Sequence, residues 1–149
     1  MNILNPAQYR YERKFFVPYL SVFQINQLIK LNPANFHEIY NSRQVNNIYY
    51  DTLDYTFFHE NINGNANRRK IRLRWYGDLY GTIKPKLEVK IKKGTVGTKL
   101  IYSIPNMDFR ENSTGKEVMK KLLQSDLPPQ IKELIKVCRP TLLNSYTRN

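Results

Sequence analysis

Cysteine is nearly missing: Cys138 is the single one among 149 residues. That excludes an intramolecular disulfide framework and a thiolate zinc cage, and it fits a reducing compartment. Any metal would have to be held by oxygen ligands. Acidic residues are scarce as well, 12 against 24 Lys and Arg, and the resulting formal charge of +12 points to an anionic partner. No stretch approaches the roughly 18 apolar residues of a membrane span. The start MNILNPAQYR lacks the basic flank and apolar run of a secretory leader. The expectation is a soluble, cytoplasmic chain with no membrane span. Internal repeats and low-complexity segments are lacking too. One domain over residues 1–149 suits the length, and 41% hydrophobic content is enough for its core.

What is present is unevenly placed. Eleven of the basic residues fall between Arg68 and Lys99, against only Asp78 and Glu88 in the same window. One segment therefore makes the protein basic. A block of like charge usually marks a disordered tail, but here the charges interleave with Ile71, Leu73, Trp75, Leu87, Val89 and Ile91. That apolar content argues for an ordered sheet.

Periodicity supplies a coarse layout. Residues 9–17 alternate as a first strand, 21–31 carry helical spacing behind a capping Ser21, and 44–51 return to strand character. Residues 55–60 read as another short strand or turn, and Asn63 with Gly64 as a turn. The clearest strands are 68–76 and 84–92, joined by a loop at 78–81. Gly94 and Gly97 turn the chain into a third meander strand at 99–104. Helices are expected at 115–123 and 129–137, closed by Pro140, with a final strand from 142. Asp51 and Asp54 read as shaping the turn after their strand. The fold class is α+β.

Side chains of equal parity share one side of a strand. The even positions are Arg10, Glu12 and Lys14; then Arg68, Lys70, Arg72 and Arg74; then Glu88, Lys90 and Lys92. A one-sided sheet with a wet polar face is the ordinary outcome of such alternation. A wet face, however, normally mixes both charge signs, and rows of like charge on neighbouring strands repel. A polyanion lying against the rows relieves that repulsion, so the residues point to a phosphate-rich ligand held in a shared concavity.

The segments RYERKFFVP, VNNIYYDT, RRKIRLRWYG, KLEVKIKKG and RPTLLNSYTRN occur in that order. In this the chain resembles VTC domains, the catalytic modules of vacuolar transporter chaperone polyphosphate polymerases and their bacterial relatives. These belong to the triphosphate tunnel metalloenzyme superfamily, with adenylyl cyclase, thiamine triphosphatase and RNA triphosphatase members. The resemblance implies an antiparallel β-barrel or tunnel with helices packed outside. It also implies an interior of basic residues that hold ATP, triphosphate or polyphosphate with Mn²⁺ or Mg²⁺, for transfer of the terminal phosphoryl group to a growing chain.

By motif, Lys14 would be the base of the first tunnel strand, Arg72 and Arg74 the RxR pair, Lys90 the lysine of ExK, and Tyr146 with Arg148 the YxR. Arg10, Lys70 and Lys92 would add phosphate contacts, and Glu12 and Glu88 are the candidate metal ligands, with cross-strand ion pairing as their alternative role. Where the superfamily has ExExK, this chain reads Arg10, Glu12, Lys14, so the first carboxylate is a base. The further strands that carry the principal metal glutamate do not follow Asn149. An open half-barrel is therefore expected, and association with itself or another chain could complete it.

Two rivals stand beside polymerisation: a non-catalytic polyphosphate-binding module, and a nucleic-acid binder. The second is disfavoured because the cations sit in strand rows rather than on a recognition helix, so no nucleic acid is expected. Gly94 and Gly97 are no P-loop, since neither GKS nor GKT follows. His37 and His59 read as surface or packing residues. Tyr49, Tyr50, Tyr55, Phe57 and Phe58 read as core, with one of them available to hold an adenine.

Overall fold

A computed structural model describes residues 15–38 and 40–148. The expected first strand lies mostly outside this range, and residues 15–17 are not in a strand. In chain order the elements are α1 (Val22–Lys30), β1 (Arg43–Asp51), α2 (Thr56–Ile62), β2 (Asn67–Tyr76), β3 (Gly81–Ile83), β4 (Lys86–Lys93), β5 (Val96–Ser103), β6 (Met107–Phe109), α3 (Gly115–Gln124), α4 (Pro129–Lys136) and β7 (Arg139–Arg148). Five strands form one antiparallel sheet in the order β5-β4-β2-β1-β7, and β3 pairs with β6 in a separate ribbon. The α+β class holds. No closed barrel forms among the described residues, and an open one was expected: β5 and β7 are the outer strands and no ladder joins them, whereas closure requires the two edges to pair.

The sheet is sided as parity requires. Ile71, Leu73, Trp75, Leu87 and Val89 point to one face and are buried with Ile48 and Tyr50 of β1. Val118 and Leu122 of α3, and Ile131 and Ile135 of α4, join the same cluster and cover that face. Each fully buried aliphatic side chain there stabilises the fold by about 1.5–3 kcal/mol. The ribbon seals one margin, with Phe109 set edge-on to Trp75 at 5.3 Å. Cys138 is buried, and desolvation together with the nearby Asp51 charge pushes its thiol up to about 11, so it stays protonated at neutral pH.

Local signals explain the remaining elements. Ser21 and Gln24 form a capping box at α1, and Thr114 and Glu117 form another at α3. Gly115 opens α3 directly against the Pro140 ring: a Cβ at 115 would lie 2.6 Å from Pro140 Cγ. Residues 55–60 are not the expected strand or turn. Residues 56–60 fall in helix α2 and Tyr55 stands at its cap position, because Asp51 supplies a cap from five residues upstream of Thr56. Its Oδ1 accepts from Thr52 N at 2.8 Å and Phe57 N at 2.9 Å, and its Oδ2 accepts from Phe58 N at 2.8 Å. Pro140 does not end a segment before the last strand but lies within β7, opposite Tyr50 where the β1–β7 register shifts. β7 is an outer strand, where a missing N–H is tolerated.

Replacing Asp51 by Ala removes two acceptor oxygens, and with them three backbone hydrogen bonds, from the entry to α2. The expected loss is about 2–3 kcal/mol, read as a lower urea midpoint with an unchanged slope.

Candidate functional site

The β2–β4 ladder sets Arg68 opposite Lys92, Lys70 opposite Lys90, Arg72 opposite Glu88, and Arg74 opposite Lys86. Directly opposed residues in an antiparallel pair share a face. Eight side chains in two rows thus lie on the side away from the apolar core, and seven of them are cationic. Arg74 is also level with Asn47 of β1, and through it with Asn144 of β7. The expected grouping of Lys70, Arg72, Arg74, Glu88, Lys90 and Lys92 is therefore met. Arg10, Glu12 and Lys14 lie outside the described residues.

Glu88 sits at the centre. Its side chain is 7% exposed, and Oε2 accepts from Arg72 Nε at 2.7 Å and Nη2 at 2.6 Å, while Oε1 meets Lys99 Nζ at 3.3 Å. Burial works to raise its carboxyl, but the hydrogen bond and charge of Arg72, with the charges of Lys99 and Arg74, outweigh burial and hold it below its ordinary value. Arg72 also donates Nη1 to the Tyr49 hydroxyl at 3.3 Å. Arg74 is buried. Its Nε donates to Asn47 Oδ1 at 2.8 Å and its Nη2 to the Tyr146 hydroxyl at 3.4 Å. Asn47 Nδ2 in turn donates to Asn144 Oδ1 at 3.3 Å. Both guanidinium groups are fixed before any ligand arrives.

The YxR pair is divided in its surroundings. Tyr146 joins the network through Arg74, whereas Arg148 is exposed at the end of β7, opposite Arg43. Sequence reasoning missed Lys99, Tyr49 and Asn47. The hairpin at Gly94 contained the signal for Lys99, because it sets Lys99 opposite Lys90 on the cationic face. Tyr49 was read as core, but the odd positions of β1 face the cations. Arg69, which interrupts the apolar face, stacks on Phe57 at 4.8 Å and bridges Glu60 at 3.6 Å, so it fastens α2 rather than binding a ligand.

Among the described residues no three His, Cys, Asp or Glu groups gather at a metal-binding spacing. Glu88 fits a metal poorly, because both of its oxygens already face cations and a divalent ion would meet the charges of Arg72 and Lys99. Glu88 thus takes the cross-strand ion-pair role.

An antiparallel sheet that is apolar beneath and arginine- and lysine-lined above defines an α+β protein with a strongly cationic sheet face. Residues 9–149 match the family model described as the VTC domain, and the chain belongs to that family, which is related to polyphosphate polymerases. Neither the curated proteins nor the solved structures gave a match. No helix among the described residues is long and apolar enough to cross a membrane.

The depressed Glu88 carboxyl sets a pH dependence. Its contribution is complete above its ordinary value of 4.5 and is lost as pH falls through the lower folded value. At pH 7 Glu88→Gln should lose about 1–3 kcal/mol, a range that allows for the partial exposure of Arg72 and Lys99. In urea titrations the gap between Glu88→Gln and the parent should narrow as pH drops below 4.5.

Proposed function

We propose that the cationic face binds the triphosphate of ATP or a polyphosphate chain, and that the domain transfers the terminal phosphoryl group to a growing polyphosphate. The observation that carries this is the register: Arg68 with Lys92, Lys70 with Lys90, and Arg74 with Lys86 are like-charge pairs set directly opposite each other. Such pairs destabilise a sheet, and linked phosphates running across the rows would neutralise them. Arg72 and Arg74 present planar donors held by Glu88 and Asn47, which suits paired contacts to phosphate oxygens.

Phosphoryl transfer asks chiefly for in-line placement and charge neutralisation, and fixed cations supply both. In this reading Arg72, Arg74 and Lys90, with Lys14 from the segment before residue 15, grip the reacting phosphates. Lys70, Lys92, Arg10, Tyr146 and Arg148 extend the grip. A divalent ion, Mn²⁺ or Mg²⁺, would arrive on the phosphate oxygens and not on the described carboxylates. The engagement of both Glu88 oxygens by cations favours a second reading, a module that binds polyphosphate without turnover.

Removing one charge-assisted contact costs about 1.5–3 kcal/mol, so Arg72→Ala or Arg74→Ala should each weaken tripolyphosphate binding about 10- to 150-fold. Calorimetry checks this, and an oligonucleotide competitor should displace tripolyphosphate poorly. Incubation with ATP and Mn²⁺ separates the two readings: chain growth supports transfer, and binding without growth supports the module. Tight tripolyphosphate binding that survives the double substitution would falsify the site.

A further inference from the structure

Arg74 is a buried cation without a counter-ion. It is 7% exposed, and no carboxylate among the described residues forms an ion pair with it. Glu88 acts on it only at a distance, because both Glu88 oxygens are taken by Arg72 and Lys99. Across the ladders Arg74 stands between Lys86 of β4, a second cation, and Asn47 of β1, a neutral amide. Its protein acceptors among the described residues are the Asn47 amide oxygen and the Tyr146 phenol oxygen. A buried charge left in this state opposes folding. One substitution could relieve it, because aspartate has the shape of asparagine.

The hydrogen bonds at residue 47 accept either side chain. Arginine only donates, so the Asn47 amide must turn its oxygen to Arg74 and its nitrogen away. That nitrogen donates to Asn144 Oδ1 at 3.3 Å, and the three residues stand level on adjacent strands. Asn47 is fully buried, so its amide has no water to turn to. An aspartate there would accept from Arg74 in the same geometry, and Asn144 would turn its own amide nitrogen to the second oxygen. Charge alone separates the two residues. Arg72 shows the contrary arrangement, since the Glu88 carboxylate that orients its guanidinium also offsets its charge.

We propose that Asn47 is a positioning residue that orients Arg74 while leaving its charge uncancelled, so that a ligand phosphate supplies the missing counter-ion. The inference rests on the phosphate-binding reading above and adds to it the reason for a neutral residue at 47. The N–H groups of Arg74 not given to Asn47 or Tyr146 have no protein acceptor among the described residues and remain for the anion. In the low-dielectric surroundings of a buried group, attraction between the two charges exceeds that in water.

Calorimetry with tripolyphosphate, in the absence of divalent metal, on the intact chain and on Asn47→Asp, Asn47→Ala and Asn144→Asp tests it. In Asn47→Asp the Arg74 Nε–H resonance should persist and the urea midpoint should stay at or above that of the parent, yet the affinity should fall about 10- to 100-fold. In Asn47→Ala the acceptor is gone, so that resonance should broaden, and affinity and midpoint should fall together. Asn144→Asp sets the same charge one strand further from Arg74, and its loss of affinity should be several-fold smaller. An Asn47→Asp variant that keeps the parent's affinity, or loses no more than Asn144→Asp, overturns the role of Asn47 while the phosphate face stands. A midpoint for Asn47→Asp below that of Asn47→Ala overturns it as well, because the carboxylate then does not take the place of the amide. If the intact chain does not bind tripolyphosphate, the phosphate reading fails and takes this inference with it.

Discussion

The pairing of Glu88 with Arg72 and Lys99 is the constraint on which the cationic face depends. Neighbouring strands carry opposed lysines and arginines, and one acidic side chain stands among them, buried and gripped from both sides. A buried ion pair adds little net stability when set against the cost of desolvating it, and its value lies in fixing geometry. Here it fixes the Arg72 guanidinium in one orientation and spaces β5 from β2 through a group on the strand between them. Asn47 does the same for Arg74 with a neutral acceptor. One arginine is thereby held by charge and the other by a dipole.

The two faces of the sheet share strands and divide the labour. The apolar face, packed under α3 and α4, supplies burial energy, and this lets the other face tolerate charges that oppose folding. β2 shows this most directly, with Leu73 and Trp75 wholly buried and Arg72 and Arg74 projecting the other way. β1 is the hinge between chemistry and scaffold. Its Asn47 and Tyr49 order the arginines, its Ile48 and Tyr50 belong to the core, and its terminal Asp51 organises α2.

Much of this was legible in the residues. Alternation in β2 and β4 is regular enough that parity alone placed Arg72, Arg74, Glu88, Lys90 and Lys92 on one side, and the order of segments pointed to the family. Two kinds of information were not legible. Register is a property of pairs of strands, so the meeting of Lys99 with Glu88 across a hairpin needed the ladder itself. Long-range capping was equally hidden, because Asp51 stabilises a helix that begins at Thr56 and leaves no Ser, Thr, Asp or Asn at the usual cap position, where Tyr55 stands. The tunnel architecture was carried by resemblance and not by periodicity, which speaks of faces and is silent on whether edges join.

The contact between Gly115 and Pro140 reverses an ordinary preference. Within a helix alanine is normally better tolerated than glycine, yet at residue 115 even a methyl group would collide with a rigid ring on the neighbouring strand. That strand runs on to Tyr146, which meets Arg74 on the opposite side of the sheet. A change as small as one carbon on the helical layer therefore has a short covalent route to the cationic surface of the sheet.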